Sequence, residues 1–305
     1  MGSRFNITKT SQGLNRVNRL ALGTVQFGLP YGIANQTGQV TRAEAKAMLQ
    51  LAATNGMDTL DTAIAYGESE TCLGEVGTQG FKVITKLPVV PESCSDVSAW
   101  VNHALNESLS RLGVAEVYGV LLHRFDQLLS SNSVALYKAL QDLKCNGLVQ
   151  KVGVSIYSPT DLDALAQDYH LDIVQAPFNL VDQRLYRSGW LQRLKDDGVE
   201  IHTRSAFLQG LLLMRQAGIP QKFSPWVNLW KIWHGWLADH AISAVQASLA
   251  FPLSFPEIDR VVIGADSVSQ LSQIMSAANR PLNVHLPNLQ CDDLNLINPA
   301  NWNSL

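Results

Sequence analysis

The chain has 305 residues, 46% of them apolar, with 23 Lys and Arg against 26 Asp and Glu for a formal charge of −3. That length suits one large core, and the scattered charges leave neither an acidic tail nor a basic stripe for nucleic acid or an anionic membrane. The longest apolar runs, such as Val117 to Leu122 and Leu211 to Met214, fall far short of the ~20 residues that cross a bilayer.

Arg4 and Lys9 are followed by no apolar stretch of the secretory kind, so a cytoplasmic location is the expectation. Residues 4–18 form an extension ahead of a first strand expected at Arg19 to Gly23. Thr41 and Glu44 then make a capping box before Ala45, Met48, Leu49 and Ala52 at helical spacing, and Gly56 closes that helix. Strands follow at Thr59 to Thr62 and Lys82 to Lys86. Asp96 opens the next helix, whose apolar face runs from Val97 through Leu105 and Leu109 to a stop at Gly113. Further strands are expected at Val117 to Leu122, Lys151 to Ser155, Ile173 to Ala176, Glu200 to Arg204 and Val261 to Ile263, with Ser158 and Pro159 opening a helix after the fifth. Each strand is short and largely apolar, as buried parallel strands are.

After the seventh strand, Trp226, Trp230, Trp233 and Trp236 recur at helical spacing. They read first as a helix packed on the body of the protein and second as an aromatic wall over a substrate. Tyr31, after the first strand, is another substrate-side candidate, and residues 281–305 form a tail expected to flank the fold. Cys72, Cys94, Cys145 and Cys291 lack C-x-x-C spacing and read as free thiols, and the histidines show no metal-ligand spacing. No linker divides the chain, so residues 1–305 are expected to form one domain. Eight alternating βα units fit either a closed barrel or an open doubly wound sheet.

The order of the chemistry separates these. Asp61 ends the second strand, Tyr66 follows in D-T-A-I-A-Y-G, Lys86 ends the third strand and His123 follows the fourth. A carboxylate, a phenol, an ammonium and an imidazole at successive strand ends mark the carboxyl face of a (β/α)8 TIM barrel, where barrel active sites form.

Leu22-Gly23-Thr24, Asp61-Thr62-Ala63, Tyr66-Gly67-Glu68-Ser69-Glu70, Leu73-Gly74, Thr85-Lys86 and His123 stand in one order, and in this the sequence resembles the aldo-keto reductase superfamily. The resemblance implies NAD(P)H-dependent reduction of an aldehyde or ketone, a sugar or sugar-derived carbonyl among the candidates. It implies Tyr66 as general acid, Lys86 and Asp61 as the charged pair that tunes it, and His123 as the group that positions the carbonyl. An ammonium beside a phenol favours the phenolate and so eases proton donation. The hydride must come from NADPH or NADH, because no side chain supplies one.

The resemblance extends to cofactor contacts at Gly23, Thr24, Asp61, Ser155, Gln175, Gly264, Ala265, Ser267 and Gln270. Ser267 and Gln270 also fit a plain capping box. Directly after Ser155 the family has Asn where this chain has Ile156, and Asn179 is no simple replacement. Where the family stacks an aromatic ring on the nicotinamide, this chain has Arg204, whose planar guanidinium can stack instead. No Lys or Arg occurs from Ile263 to Asn279 to read a 2′-phosphate, whereas Asp266 sets a carboxylate there. Two rivals remain: a nicotinamide-binding regulatory subunit with little turnover, and a barrel aldolase or isomerase using Lys86 as a Schiff base. The sequence names neither the carbonyl nor an oligomeric state.

Overall fold

A computed structural model describes residues 15–165 and 169–305. Eight parallel strands close into a barrel in chain order: β1 (Leu20–Gly23), β2 (Thr59–Asp61), β3 (Lys82–Leu87), β4 (Val117–Leu122), β5 (Val149–Ser155), β6 (Ile173–Pro177), β7 (Glu200–Arg204) and β8 (Arg260–Ile263). The pairing of β8 with β1 removes the open-sheet alternative. Strand ends differ from the sequence expectation by one or two residues, the margin within which strand and helix ends fray.

The cross-over helices form where the sequence caps them. Thr41 Oγ1 accepts the Glu44 amide at 3.3 Å ahead of Arg42–Thr54, and Asp96 Oδ1 accepts the Ala99 amide at 2.9 Å ahead of Val97–Leu112. Gly113, at φ 66°, ends the latter in the left-handed conformation that glycine adopts without a Cβ penalty. After β5 the helix runs Thr160–Leu165, a residue later than Ser158 and Pro159 suggest, with Ser158 Oγ accepting from the Thr160 hydroxyl.

Apolar residues from strands and helices make a continuous core around the barrel, and Ile84, Leu121 and Ile173 plug its interior. A filled barrel has no pore, so a ligand is confined to the carboxyl rim. No described helix is long and apolar enough to cross a membrane, and all four cysteines are free thiols.

Of the expected N-terminal extension, residues 4–14 lie outside the described residues. Arg16–Arg19 forms a 3₁₀ turn, from which the Arg19 guanidinium donates to the carbonyls of Leu253, Phe255 and Ile258. The C-terminal tail crosses the opposite rim. Its Trp302 is buried against Phe223 with ring centroids 4.9 Å apart, and Lys222 Nζ donates to the Trp302 carbonyl at 2.6 Å.

The tryptophan segment is a 3₁₀ turn, Gln221–Trp226, followed by the helix Val227–His240. Trp230 and Trp233 are buried, their indole N–H groups bonded to the carbonyls of Phe223 and Leu212 at 3.0 and 2.9 Å. The Trp226 indole reaches Asp293 in the tail at 3.2 Å. The packing reading of this segment therefore holds. Trp230 and Trp233 are spent joining this segment to the body, Trp226 is half-buried beside the tail, and none of the three lines the cleft at the carboxyl rim, so the aromatic-wall reading gains no support.

Candidate active site

The parallel register puts Asp61 beside Ile84 and Lys86 beside Leu121, so the side chains of neighbouring strand ends emerge together at one rim. Lys86, 1% exposed, donates to both Asp61 carboxylate oxygens at 2.8 and 2.7 Å and to the Thr62 carbonyl at 2.9 Å. Its Nζ lies 5.1 Å from the Tyr66 ring centroid, and the Tyr66 and His123 rings meet edge to face, centroids 5.8 Å apart at 82°.

Gly28 makes this arrangement possible. A Cβ there would fall 1.8 Å from the Tyr66 carbonyl oxygen and 2.4 Å from the Ser69 amide nitrogen, so only glycine lets the segment after β1 pass against the Tyr66 turn.

Burial alone would lower the Lys86 pKa, but Asp61, with the Tyr66 oxygen beside it, raises it above its ordinary value. A Schiff-base lysine needs the reverse, a pKa brought down toward neutrality. For His123, burial first and then the Lys86 charge push the pKa down to about 4, with Arg204 and Arg124 acting in the same sense against Asp61. The imidazole is therefore neutral at physiological pH, able to donate from one ring nitrogen and accept at the other.

A cleft of about 680 Å³ runs from Tyr66 and His123 to Gly264, Ala265 and Gln270 at the start of the helix Val268–Asn279. Its walls include Gly23, Thr24, Asp61, Ser155, Gln175, Arg204 and Tyr31, so most of the expected contacts converge here. The Gln175 amide donates to Asp61 at 2.6 Å, and its oxygen lies 3.5 Å from the Ser155 hydroxyl, tying the β5 and β6 ends to the charged pair. Thr24 contributes through its backbone, since its hydroxyl is committed to the Asp61 carbonyl and Ser69.

Ser267 is absent from the cleft wall: its hydroxyl accepts the Gln270 amide at 3.2 Å while the Gln270 side-chain oxygen accepts the Asp266 amide at 2.9 Å. That reciprocal pair caps the helix, with the Ser267 side chain outside the cleft wall, while Gln270 caps and lines the cleft at once. Ile156 is buried in the core, and Asn179 spends its amide on the Ser205 carbonyl and the Val181 and Asp182 amides, so neither offers a contact to a ligand.

Sequence reasoning missed several cleft residues. Asn298, Pro299 and Ala300 arrive from the tail, Tyr157 follows β5, and Gln209 donates to the Tyr31 hydroxyl at 2.9 Å. Asn35 reaches Asp266 at 3.3 Å. No periodic signal points to these loop positions. Gln26, also in the wall, keeps a buried side-chain oxygen without a partner, and a Cβ on Gly264 would fall 2.5 Å from its amide nitrogen. An unsatisfied amide and a turn open only to glycine, at a helix N-terminus, fit the polar spine of a dinucleotide.

A profile of the Aldo/keto reductase family matches residues 19–285. An uncharacterized oxidoreductase of Bacillus subtilis (strain 168) is 24% identical over 192 residues, 59% of this chain and 61% of that protein. The L-glyceraldehyde 3-phosphate reductase of Escherichia coli O157:H7 is 26% identical over 202 residues, 58% of this chain and 57% of that protein. The matched segments thus span about three-fifths of the length of these curated relatives. In fold, the chain is similar to an aldo-keto reductase from Bacillus halodurans in its holo form, with TM-score 0.70, 18% identity and coverage of 87% of this chain and 88% of that one. The family match spans the barrel from its first strand past its last helix, and the chain belongs to the aldo/keto reductase family.

Proposed function

We propose that the protein is an NAD(P)H-dependent reductase of aldehydes or ketones, with Tyr66 as general acid. One observation carries this: the Tyr66 and His123 rings face each other beside the buried Lys86–Asp61 pair, at one end of a cleft whose other end is the glycine turn after β8. The family membership and the names of the relatives, one an oxidoreductase and one a reductase of a small phosphorylated aldehyde, support the same class.

Reduced nicotinamide, when bound, supplies the hydride. Ser155 and Gln175 would hold its carboxamide, and Gly264, Ala265 and Gln270 its diphosphate. His123, kept neutral, donates a hydrogen bond that fixes the carbonyl oxygen near the Tyr66 hydroxyl. The Tyr66 O–H gives its proton to that oxygen as negative charge develops there. Lys86 stays charged through Asp61 and stabilises the phenolate left behind.

The far end of the cleft supports comparable use of NADH and NADPH. Among the described residues Arg204 is the one Lys or Arg in the cleft wall, and it stands at the reacting end. At the other end Asp266, its carboxyl pushed up by burial, opposes a 2′-phosphate and can accept from free ribose hydroxyls. The test is absorbance at 340 nm across a carbonyl panel with each cofactor, alongside Kd values from tryptophan quenching. Cofactor binding without turnover of any carbonyl would favour the regulatory-subunit alternative. A preference for NADPH of about a hundredfold or more would require a dedicated phosphate partner.

A further inference from the structure

Arg204 ends β7 beside Pro177 of β6, but its guanidinium does not turn toward β8 and the glycine turn. It reaches the other way, past β6, where one terminal nitrogen donates to the Ile156 carbonyl after β5 at 2.9 Å and the other meets the Ser205 hydroxyl at 3.4 Å. Its central carbon lies 4.9 Å from the centre of the Tyr157 ring. Two of the five guanidinium N–H groups are spent on these contacts, and among the described residues no carboxylate pairs with it.

The aim is enforced. Ser205 holds φ 64°, a conformation that a non-glycine residue keeps only where its surroundings impose it, and the buried Asn179 amide grips the Ser205 carbonyl at 3.0 Å. The charge so aimed acts on the reacting end: it adds to the burial that lowers the His123 pKa and opposes the burial that raises that of Tyr31. Around the reacting carbon, Asp61 cancels Lys86 and His123 is neutral, which leaves Arg204 as an uncompensated cation. Beside it, Tyr31 accepts from Gln209, so its own hydroxyl proton is free to be donated.

We propose that Arg204 and the Tyr31 hydroxyl form an oxyanion subsite, so that the preferred carbonyl substrate carries a carboxylate or phosphate close to its reacting carbon. This rests on the reductase reading above and replaces nicotinamide stacking as the role of Arg204. A neutral carbonyl leaves the guanidinium partly desolvated and unpaired. An anionic one satisfies it through charge-assisted hydrogen bonds in planar geometry.

The experiment measures kcat/KM at saturating cofactor for two matched pairs: succinic semialdehyde against butanal, and glyceraldehyde 3-phosphate against glyceraldehyde. In the wild-type chain the anionic member of at least one pair is expected to lead by about tenfold or more, and the pair that shows it separates carboxylate from phosphate. In Arg204→Gln the ratio falls to near unity, Arg204→Lys restores part of it, and Tyr31→Phe lowers it by a smaller factor. A ratio unchanged in Arg204→Gln, or a ratio near unity in the wild type, overturns the subsite and leaves the reductase reading intact. A Gln variant that loses cofactor affinity while keeping the ratio assigns Arg204 to the cofactor and likewise overturns it. No turnover of either member of either pair overturns the reductase reading, and the subsite with it.

Discussion

The barrel holds a charged cluster at each end, buried at the carboxyl rim and half-buried at the amino end, and the rim cluster faces the cleft. At the carboxyl rim, Lys86 and Asp61 sit under the open faces of Tyr66 and His123. At the amino end, Glu200 at the start of β7 accepts from the Tyr118 hydroxyl and from Lys151 on one oxygen, with His202 at 2.7 Å from the other. Burial would raise the Glu200 pKa, but these three donors hold it well below the usual carboxylate range. Tyrosine, lysine, histidine and carboxylate thus occur at both ends. At the floor the tyrosine and lysine converge on the carboxylate, so the phenol is consumed as a hydrogen-bond donor to a neighbour. At the rim Lys86 and the Gln175 amide donate to the carboxylate, and the phenol keeps its proton for something else. Composition does not distinguish the two clusters; the direction in which the phenol donates does, and the rim pair is also the more deeply buried.

The contrast breaks most sharply if the two phenols are interchangeable. Tyr66→Phe is expected to cut kcat by two to four orders of magnitude, roughly the scale of a lost general acid, with cofactor Kd and melting temperature close to wild type. Wild-type-like turnover in that variant would remove the mechanism. Lys86→Met leaves Asp61 as a buried charge without its partner, which costs about 3–5 kcal/mol of stability as well as turnover. Retained melting temperature would mean that the pair is less desolvated than its 1% and 5% side-chain exposures imply.

Glu200→Gln sharpens the other side. It should lower stability by roughly 2–3 kcal/mol, because Lys151 and His202 lose a charged acceptor, while kcat/KM stays within about twofold. Denaturant unfolding read alongside steady-state rates separates the two quantities. A large rate loss at unchanged stability would mean that the floor communicates with the rim.

The smallest effect is one of titration. With a folded pKa of about 4 against an ordinary value of 6.5, His123 takes up its proton in the unfolded state first. It therefore costs stability as pH falls from about 6.5 toward 4 and costs none above that window. In an NMR titration its ring resonances should stay unmoved from pH 8 to pH 5. A midpoint near 6.5 would place the imidazole in bulk-like solvent and undo its assignment as a neutral donor.

The strands were legible because each is a local run of apolar residues, and their alternation with capped helices admits few architectures. The meeting of Asp61, Tyr66, Lys86 and His123 at one rim was legible for a related reason, since a charged residue at the end of an apolar strand has one rim to occupy. Ser267 stayed ambiguous in the sequence because S-x-x-Q is the same string whether it caps a helix or greets a phosphate, and in the fold it caps one. The tryptophans left two readings open because a helical period shows that one face is apolar without showing what covers it, and here the segment after β7 covers Trp230 and Trp233.

By itself the sequence determined the eight strands, their order and the rim at which Asp61, Tyr66, Lys86 and His123 come out, all of which depend on short-range pattern. Only the tertiary structure decided where Arg204 points, which tail residues close the cleft and which of two similar charge clusters keeps a phenol free. Those outcomes depend on loops packed against segments distant in the chain, as the tail residues Asn298, Pro299 and Ala300 meet the wall that Tyr31 and Gln209 share. No local propensity encodes a contact whose two halves are far apart in sequence.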